Sequence, residues 1–188
     1  MQYQRTVTEE SNKNIIVLDV FSKLIQERIL FIDSEITNDL ANGVIAQMLY
    51  LDSLDQKTPI NVYINTPGGS VYAGLAIYDI SKIIKAPIRT VGIGLAASMG
   101  AILMLMGEER CAVKHLRTMI HQPMGGAFGQ VSDMEIATNE CVKVKKELYE
   151  IISEKTGKSI EQVEKDCNRD YWLTSQEALD YGIITKIL

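Results

Sequence analysis

Ser98 is the one polar side chain in the run 94–103, GLAASMGAIL, where alanines, glycines and a methionine surround it. Ala96, Ala97 and Gly100 remove bulk on both sides. The stretch has the form of a G-x-S-x-G elbow with alanine at the first small position, a tight strand-to-helix turn that projects its serine. A serine at a helix start also faces unpaired N–H groups and the positive end of the helix dipole, which favour an anionic tetrahedral intermediate. A serine packed at a helix crossing has the same surroundings, so this run by itself leaves both readings open.

A serine hydroxyl needs a base at neutral pH, and the chain has only two histidines. His121 ends the strand-like run RTMI and opens a loop with Gln122, Pro123 and several glycines. His115, between Lys114 and Leu116, reads as a surface residue. An orienting carboxylate must be chosen among 24 acids. Asp170, in DCNRDYWLT, lies between a helix end and an aromatic run, where burial is expected; Asp166 reads as a helical surface acid. A second bare turn, Pro67-Gly68-Gly69, could offer an N–H that joins that of Met99 in an oxyanion hole. Such a donor contributes about 10²–10³-fold in rate. Taken without the serine, these glycines read first as a plain tight turn between strand and helix.

One rival motif is GIGLAA, 92–97, which fits a loosened G-x-G-x-x-A nucleotide fingerprint. The next acids, Glu108 and Glu109, come earlier than the usual spacing to a ribose-binding acid. No G-x-x-x-x-G-K-[ST] occurs.

These residues need a scaffold. The 188 residues suit one domain, with 46% hydrophobic and 23% charged residues as in ordinary globular proteins. A net charge of −5 and a pI of about 5.1 argue against nucleic acid as a partner. Cys111, Cys141 and Cys167 are odd in number and widely spaced, which suggests no disulfide or metal framework and a reducing, cytoplasmic compartment. The longest apolar run, 91–107, is marginal for a bilayer span and holds four glycines. It reads as a buried strand, a turn and a core helix, so no membrane is expected.

Residues 1–14 are polar and read as a flexible arm, leaving 15–188 as one domain. Strands are expected at 15–19, 28–32, 60–65, 88–93, 110–113, 117–120 and in the closing 183–188. Apolar residues Leu40, Val44, Ile45, Met48 and Leu51 recur at helical steps between Thr37 and Leu54. Further helices are expected at 70–84, from about Ser98 to Met106, and from Val131 to about Lys155. In the last, Met134, Cys141 and Leu148 repeat at seven, as do Ala137, Val144 and Ile151. This narrow stripe suits a helix–helix seam, against a partner subunit or within the domain. Thr174 with Glu177 offers a capping box, and Gly182 a stop. Alternating strands and helices predict an α/β fold with a largely parallel sheet.

Taken together, YINTPGGSVYAGLAIYD, GLAASMGAILMLMG, RTMIHQPMGGAFGQVSDMEI and NRDYWLTSQEALDYGIITKIL resemble the proteolytic subunit family of the ATP-dependent Clp protease. The resemblance runs in order from about residue 16 to the end. It implies Ser98 as nucleophile, His121 as general base and Asp170 as the group that orients it, with Gly69 and Met99 as oxyanion-hole donors. It implies a crotonase-like α/β core of repeated β-β-α units with a protruding handle at about 122–155. It further implies a serine endopeptidase in a barrel of two stacked seven-subunit rings, with Gly125, Gly126, Gln130 and Arg169 at the ring–ring contact. A hexameric Clp ATPase would feed it unfolded chains, docking near Tyr63, while short peptides would be cleaved without the ATPase. No cofactor or metal is implied for this chain; ATP acts on the partner.

The chain departs from the family pattern in four places. The first residues, MQYQRTVTEESNKN, lack the usual proline and hydrophobic residues. Asn61 stands where many members have a tyrosine two before Tyr63. Asn168 replaces an acid before Arg169, and KHLRTMIH lacks a Pro-Asn. These departures suggest a divergent paralogue, paired with a second Clp ring or weakly active without one. A crotonase-type acyl-CoA enzyme is the alternative chemistry for the same glycine turns.

Overall fold

Strand β5 (Ile88–Ala97) is the hub of the sheet and ends one residue before Ser98. The computed structural model describes residues 6–11 and 14–188; residues 1–5 and 12–13, within the expected arm, lie outside it. The chain opens with β1 (Thr6–Ser11) and β2 (Asn14–Asp19), which pair antiparallel. Residues 6–11, within the expected arm, are therefore a paired strand. Thr6, Val7 and Thr8 are β-branched and favour extended backbone, and pairing satisfies that backbone's polar groups.

Helix α1 (Val20–Gln26), unforeseen in the sequence, starts on Asp19, whose carboxylate accepts the N–H groups of Phe21 and Ser22 at 3.0 and 3.1 Å. Next come β3 (Ile29–Ile32), α2 (Asn38–Leu54), β4 (Ile60–Thr66) and α3 (Val71–Ile83). Thr37 and Ser70 cap the two helices through side-chain oxygens that accept the N–H groups of Leu40 and Ala73. β5 is followed by α4 (Met99–Met104), β6 (Glu109–Ala112) and β7 (Arg117–Ile120). The rest of the chain is α5 (Val131–Thr156), α6 (Ile160–Asp166), β8 (Tyr171–Thr174), α7 (Ser175–Tyr181) and β9 (Lys186–Ile187).

Seven strands form one sheet, with β3-β4-β5-β6-β9 parallel along the main path. β5 carries two different neighbours on one edge. Its first half, Arg89–Gly92, pairs with β6, and its second half, Leu95–Ala97, pairs with β7. The change of neighbour coincides with a register shift against β4 between Ile64 and Thr66. Gly94, at φ +63, lies in this irregularity, and the Asn65 side chain accepts the Leu95 N–H at 3.1 Å. β7 then pairs antiparallel with β8.

The core lies on the faces of this sheet. Of the face of α2 that the periodicity predicts, Val44, Met48 and Leu51 are buried and Leu40 and Ile45 half-buried; Ala41 is buried with them. Every residue of α4 is buried. α5 divides its stripe. Of the expected stripe, Val144 and Leu148 are buried against the domain, Met134, Ala137 and Ile151 are half-buried and Cys141 is exposed; Tyr149 and Ile152 are buried beside it, and Val131, Ile136 and Val142 are exposed. The capping box of Thr174 and Glu177 forms, and Gly182 ends α7 at φ +97. The closing strand is shorter than expected, with only Lys186 and Ile187 pairing to β6. β5 in turn runs four residues past the expected end at 93, so α4 starts one residue after Ser98.

Candidate active site

Strand register alone brings three side chains together. Ala97 pairs with Met119, so Ser98 leaves β5 beside the end of β7. Ile120 pairs with Tyr171, so His121, just after β7, adjoins Asp170, just before the antiparallel β8. Ser98 N–H donates to Met119 O at 2.8 Å and fastens the elbow to β7. Gln122 holds the next turn, its backbone N–H on Cys167 O at 2.7 Å and its side-chain amide on Asn168 O at 3.0 Å.

The resulting geometry is a linear relay. Ser98 Oγ lies 2.8 Å from His121 Nε2, and His121 Nδ1 lies 3.2 Å from Asp170 Oδ1. The tautomer with its proton on Nδ1 satisfies both contacts, donating to the carboxylate and accepting from the serine. His121 is largely covered, but the Asp170 side chain is 61% exposed. The burial expected for Asp170 is therefore not found, because the turn after α6, with Asn168, Arg169 and Asp170 all exposed, lies on the surface. Two neighbours of that turn are buried. Burial pushes the Cys167 thiol up to about 12. Burial, and a hydrogen bond from its hydroxyl to Asp166 at 3.0 Å, push Tyr181 upward too. Neither adds charge beside Asp170 at neutral pH. Asp166 is thus tied to Tyr181 and half-buried, where a surface acid was expected.

Ser98 has φ 55° and ψ −121°, outside the ordinary regions for a side-chain-bearing residue. Such a conformation costs on the order of 1–3 kcal/mol and persists only where the surroundings over-determine it. Gly68 is one reason it fits. A Cβ on Gly68 would lie 2.8 Å from Ser98 Cβ and 3.2 Å from Met99 N. The two bare turns of the sequence thus lie against each other. Among the described residues, the N–H groups of Gly69 and Met99 find no protein acceptor. Both border the space in front of Ser98. A cleft of about 340 Å³ is lined by Pro67, Gly69, Ser98, Met119, His121 and Asp170. Beside it lies a narrow apolar recess of about 20 Å³ walled by Val71, Met99, Ile102, Ile120, Leu148 and Ile152. The sequence reading missed this recess, since its wall residues carry the same periodicity as any core face.

The other candidates lie elsewhere. His115 is exposed, as expected. Residues 92–97 are inside β5, so GIGLAA is not the strand-to-helix turn that a phosphate cradle requires. Gly125 and Gly126 lie on the loop after His121, which rests against Ala137, Thr138 and Cys141 of α5. Gln130 is the exposed N-cap residue of α5, and Arg169, exposed beside Asp170, donates to Asn168 O at 3.1 Å. Tyr63 is half-buried on the sheet and stacks on Phe31 at 5.4 Å. Its neighbour Asn61 accepts from Arg89 at 3.4 Å, and Arg89 also meets Glu109 at 3.0 Å. No group of three or more His, Cys, Asp or Glu could hold a metal ion among the described residues, and the three cysteines are free. No helix among the described residues is long and apolar enough to cross a membrane.

A strained serine at the end of a parallel strand, in line with a histidine and a carboxylate, is the arrangement of a serine hydrolase on an α/β sheet. The comparisons with known proteins make the class specific. The family model described as Clp protease matches residues 11–188. The ATP-dependent Clp protease proteolytic subunit of Porphyromonas gingivalis is 52% identical over 185 residues, covering 97% of this chain and 83% of that one. The subunit of the same name from Bacteroides fragilis is 50% identical over 184 residues, covering 97% and 89%. A Salinibacter ruber relative, proteolytic subunit 1, is 46% identical over 184 residues, covering 97% and 79%. The chain belongs to the Clp protease family and is a serine endopeptidase of that type.

Proposed function

We propose that this chain cleaves peptide bonds with Ser98 as nucleophile, His121 as general base and Asp170 as the group that orients the imidazole. The observation that carries this reading is the 2.8 Å contact of Ser98 Oγ with His121 Nε2, backed on the far side of the ring by Asp170. As Ser98 Oγ attacks the scissile carbonyl carbon, its proton passes to His121 Nε2. The carbonyl oxygen becomes an oxyanion facing the N–H groups of Gly69 and Met99. His121 then gives the proton to the leaving amine, and Asp170 stabilises the imidazolium in between. Water, activated by the same imidazole, releases the acyl group from Ser98. The apolar recess beside Ser98 favours an apolar side chain before the cut.

The subunit works in a closed barrel of two stacked seven-membered rings. Within it α5 is the handle on a crotonase-like core. Gly125, Gly126, Gln130 and Arg169 lie toward the opposite ring, and the exposed Val131, Ile136 and Val142 of α5 supply apolar surface that such a contact would cover. A hexameric Clp ATPase docks near Tyr63 and feeds unfolded chains at the expense of ATP. The test has two parts on one sample. A fluorophosphonate should label Ser98 in the assembled protein and fail on Ser98→Ala, and native mass should give fourteen subunits. An assembled protein that takes no label overturns the assignment of Ser98.

One observation favours a variant of this reading, in which the ring pairs with a sister ring that binds the ATPase. Asn61, Arg89 and Glu109 put a polar, ion-paired set beside Tyr63, where an apolar partner loop would have to desolvate it. ATPase-dependent degradation by this subunit alone, at the rate reached with a sister subunit, excludes the variant.

A further inference from the structure

Thr66 is the last residue of β4 and is 1% exposed, one of few buried polar side chains among the described residues. Its hydroxyl makes two short contacts. It donates to Ser34 O at 2.6 Å and accepts the Gly68 N–H at 3.1 Å. Gly68 O in turn accepts the Ile36 N–H at 2.8 Å, and Ile36 O accepts the Ser70 N–H at 2.8 Å. Segment 34–36 and the glycine turn are thereby joined bond by bond. Both polar groups of Gly68 are used, which leaves the N–H of Gly69 as the unengaged donor of this turn, at the cleft. The same side chain reaches the other half of the site. Its methyl lies against Gly100, where an added Cβ would come within 2.6 Å of Thr66 Cγ2. Gly100 is in the first turn of α4, two residues after Ser98.

We propose that Thr66 is a positioning residue: its hydroxyl aims the Gly69 N–H at the developing oxyanion, while its methyl packs against the first turn of α4 and serves stability. It touches neither substrate nor the reacting atoms. The inference rests on Ser98 as nucleophile and names a residue through which its oxyanion hole is held. The physical basis is that a donor stabilises a transition state only where its direction is fixed beforehand. Without the Thr66 hydroxyl the buried Gly68 N–H lacks its acceptor, and the turn re-forms around some other partner.

Thr66→Val keeps the shape and the methyl and removes the hydroxyl; Thr66→Ser keeps the hydroxyl and removes the methyl. On assembled protein, Thr66→Val should lower kcat for a fluorogenic peptide about 10- to 100-fold with KM changed less than about twofold. The inhibition constant of a peptidyl boronate, whose serine adduct is an anionic tetrahedron, should weaken by the same factor as kcat. Thr66→Ser should retain most of kcat and of boronate affinity while melting at a lower temperature. Should Thr66→Val not assemble, Thr66→Ala takes its place, and the step from Ser to Ala isolates the hydroxyl. Three results overturn the proposal: unchanged kcat and boronate affinity without the hydroxyl, a fall in kcat with no parallel loss of boronate affinity, or a loss in Thr66→Ser as large as in Thr66→Val. Assembled wild-type protein that neither cleaves peptide nor binds the boronate removes the Ser98 assignment itself, and this inference with it.

Discussion

Gly68 lies directly against Ser98, so that a methyl group on the glycine would come within 2.8 Å of the serine's own Cβ and 2.9 Å of Ala97 O. Its φ of +102° is in addition one that side-chain-bearing residues avoid. Gly68→Ala therefore strains its own backbone and pushes the elbow away from His121. We expect a stability loss of about 1–3 kcal/mol and a fall in kcat of more than about 100-fold, since a displacement near 1 Å is enough for that. Melting temperature and peptide turnover, measured on the same preparation, check both.

In the proposed relay Ser98, His121 and Asp170 act in series, so their deletions should not add. Ser98→Ala and His121→Ala are each expected to lower kcat by roughly 10⁶-fold, and the double variant should be no worse than either. Asp170→Ala should cost less, by roughly one to two orders of magnitude, because a serine–histidine pair retains activity without its orienting acid. The exposure of Asp170 makes its contribution sensitive to salt. Turnover across ionic strength, compared between wild type and Asp170→Ala, measures that dependence.

Val71 lines both the main cleft and the apolar recess beside Ser98. Val71→Phe fills the recess from its open side without adding charge. The ratio of kcat/KM for a peptide with leucine before the cut to one with alanine should fall about 10- to 100-fold, the range expected for steric discrimination in an apolar pocket. Paired fluorogenic peptides differing at that one residue provide the measurement.

Asp55 caps the end of α2. The Thr58 hydroxyl and the N–H groups of Lys57 and Thr58 hold its carboxylate at about 2, against an ordinary value of 3.8. A folded value below the unfolded one means stability that is present above about pH 4 and lost as the pH falls through about 2. Asp55→Ala should be less stable than wild type at pH 7, with the difference closing between about pH 4 and pH 2. Urea midpoints across that range follow it.

Much of this architecture is written in short-range pattern. Small residues around Ser98 mark a turn too tight for bulk, and Pro67-Gly68-Gly69 marks another. Periodic apolar residues mark α2, and Thr174 with Glu177 marks the start of α7, because caps and faces depend on neighbours within a few positions. His121 at a strand end was legible for the same reason. Asp170 was less so: its place between a helix end and an aromatic run made it a candidate through an expected burial, and its role came from the resemblance to a family. Its exposure also ran against the reading of its aromatic neighbours.

What local pattern cannot contain is the meeting of segments distant in the chain. β8 is four residues long and gains its identity from β7, so no periodicity announces it. The recess beside Ser98 draws on α3, α4, β7 and α5 at once. The role of Thr66 depends on Ser34, 32 positions earlier, and on Gly100 in the next layer. Chain neighbours decide where turns and helices begin, since those energies are local. Which N–H is left free, which serine is strained and which carboxylate faces the imidazole depend on strand register and side-chain packing, and those exist only once the sheet has formed.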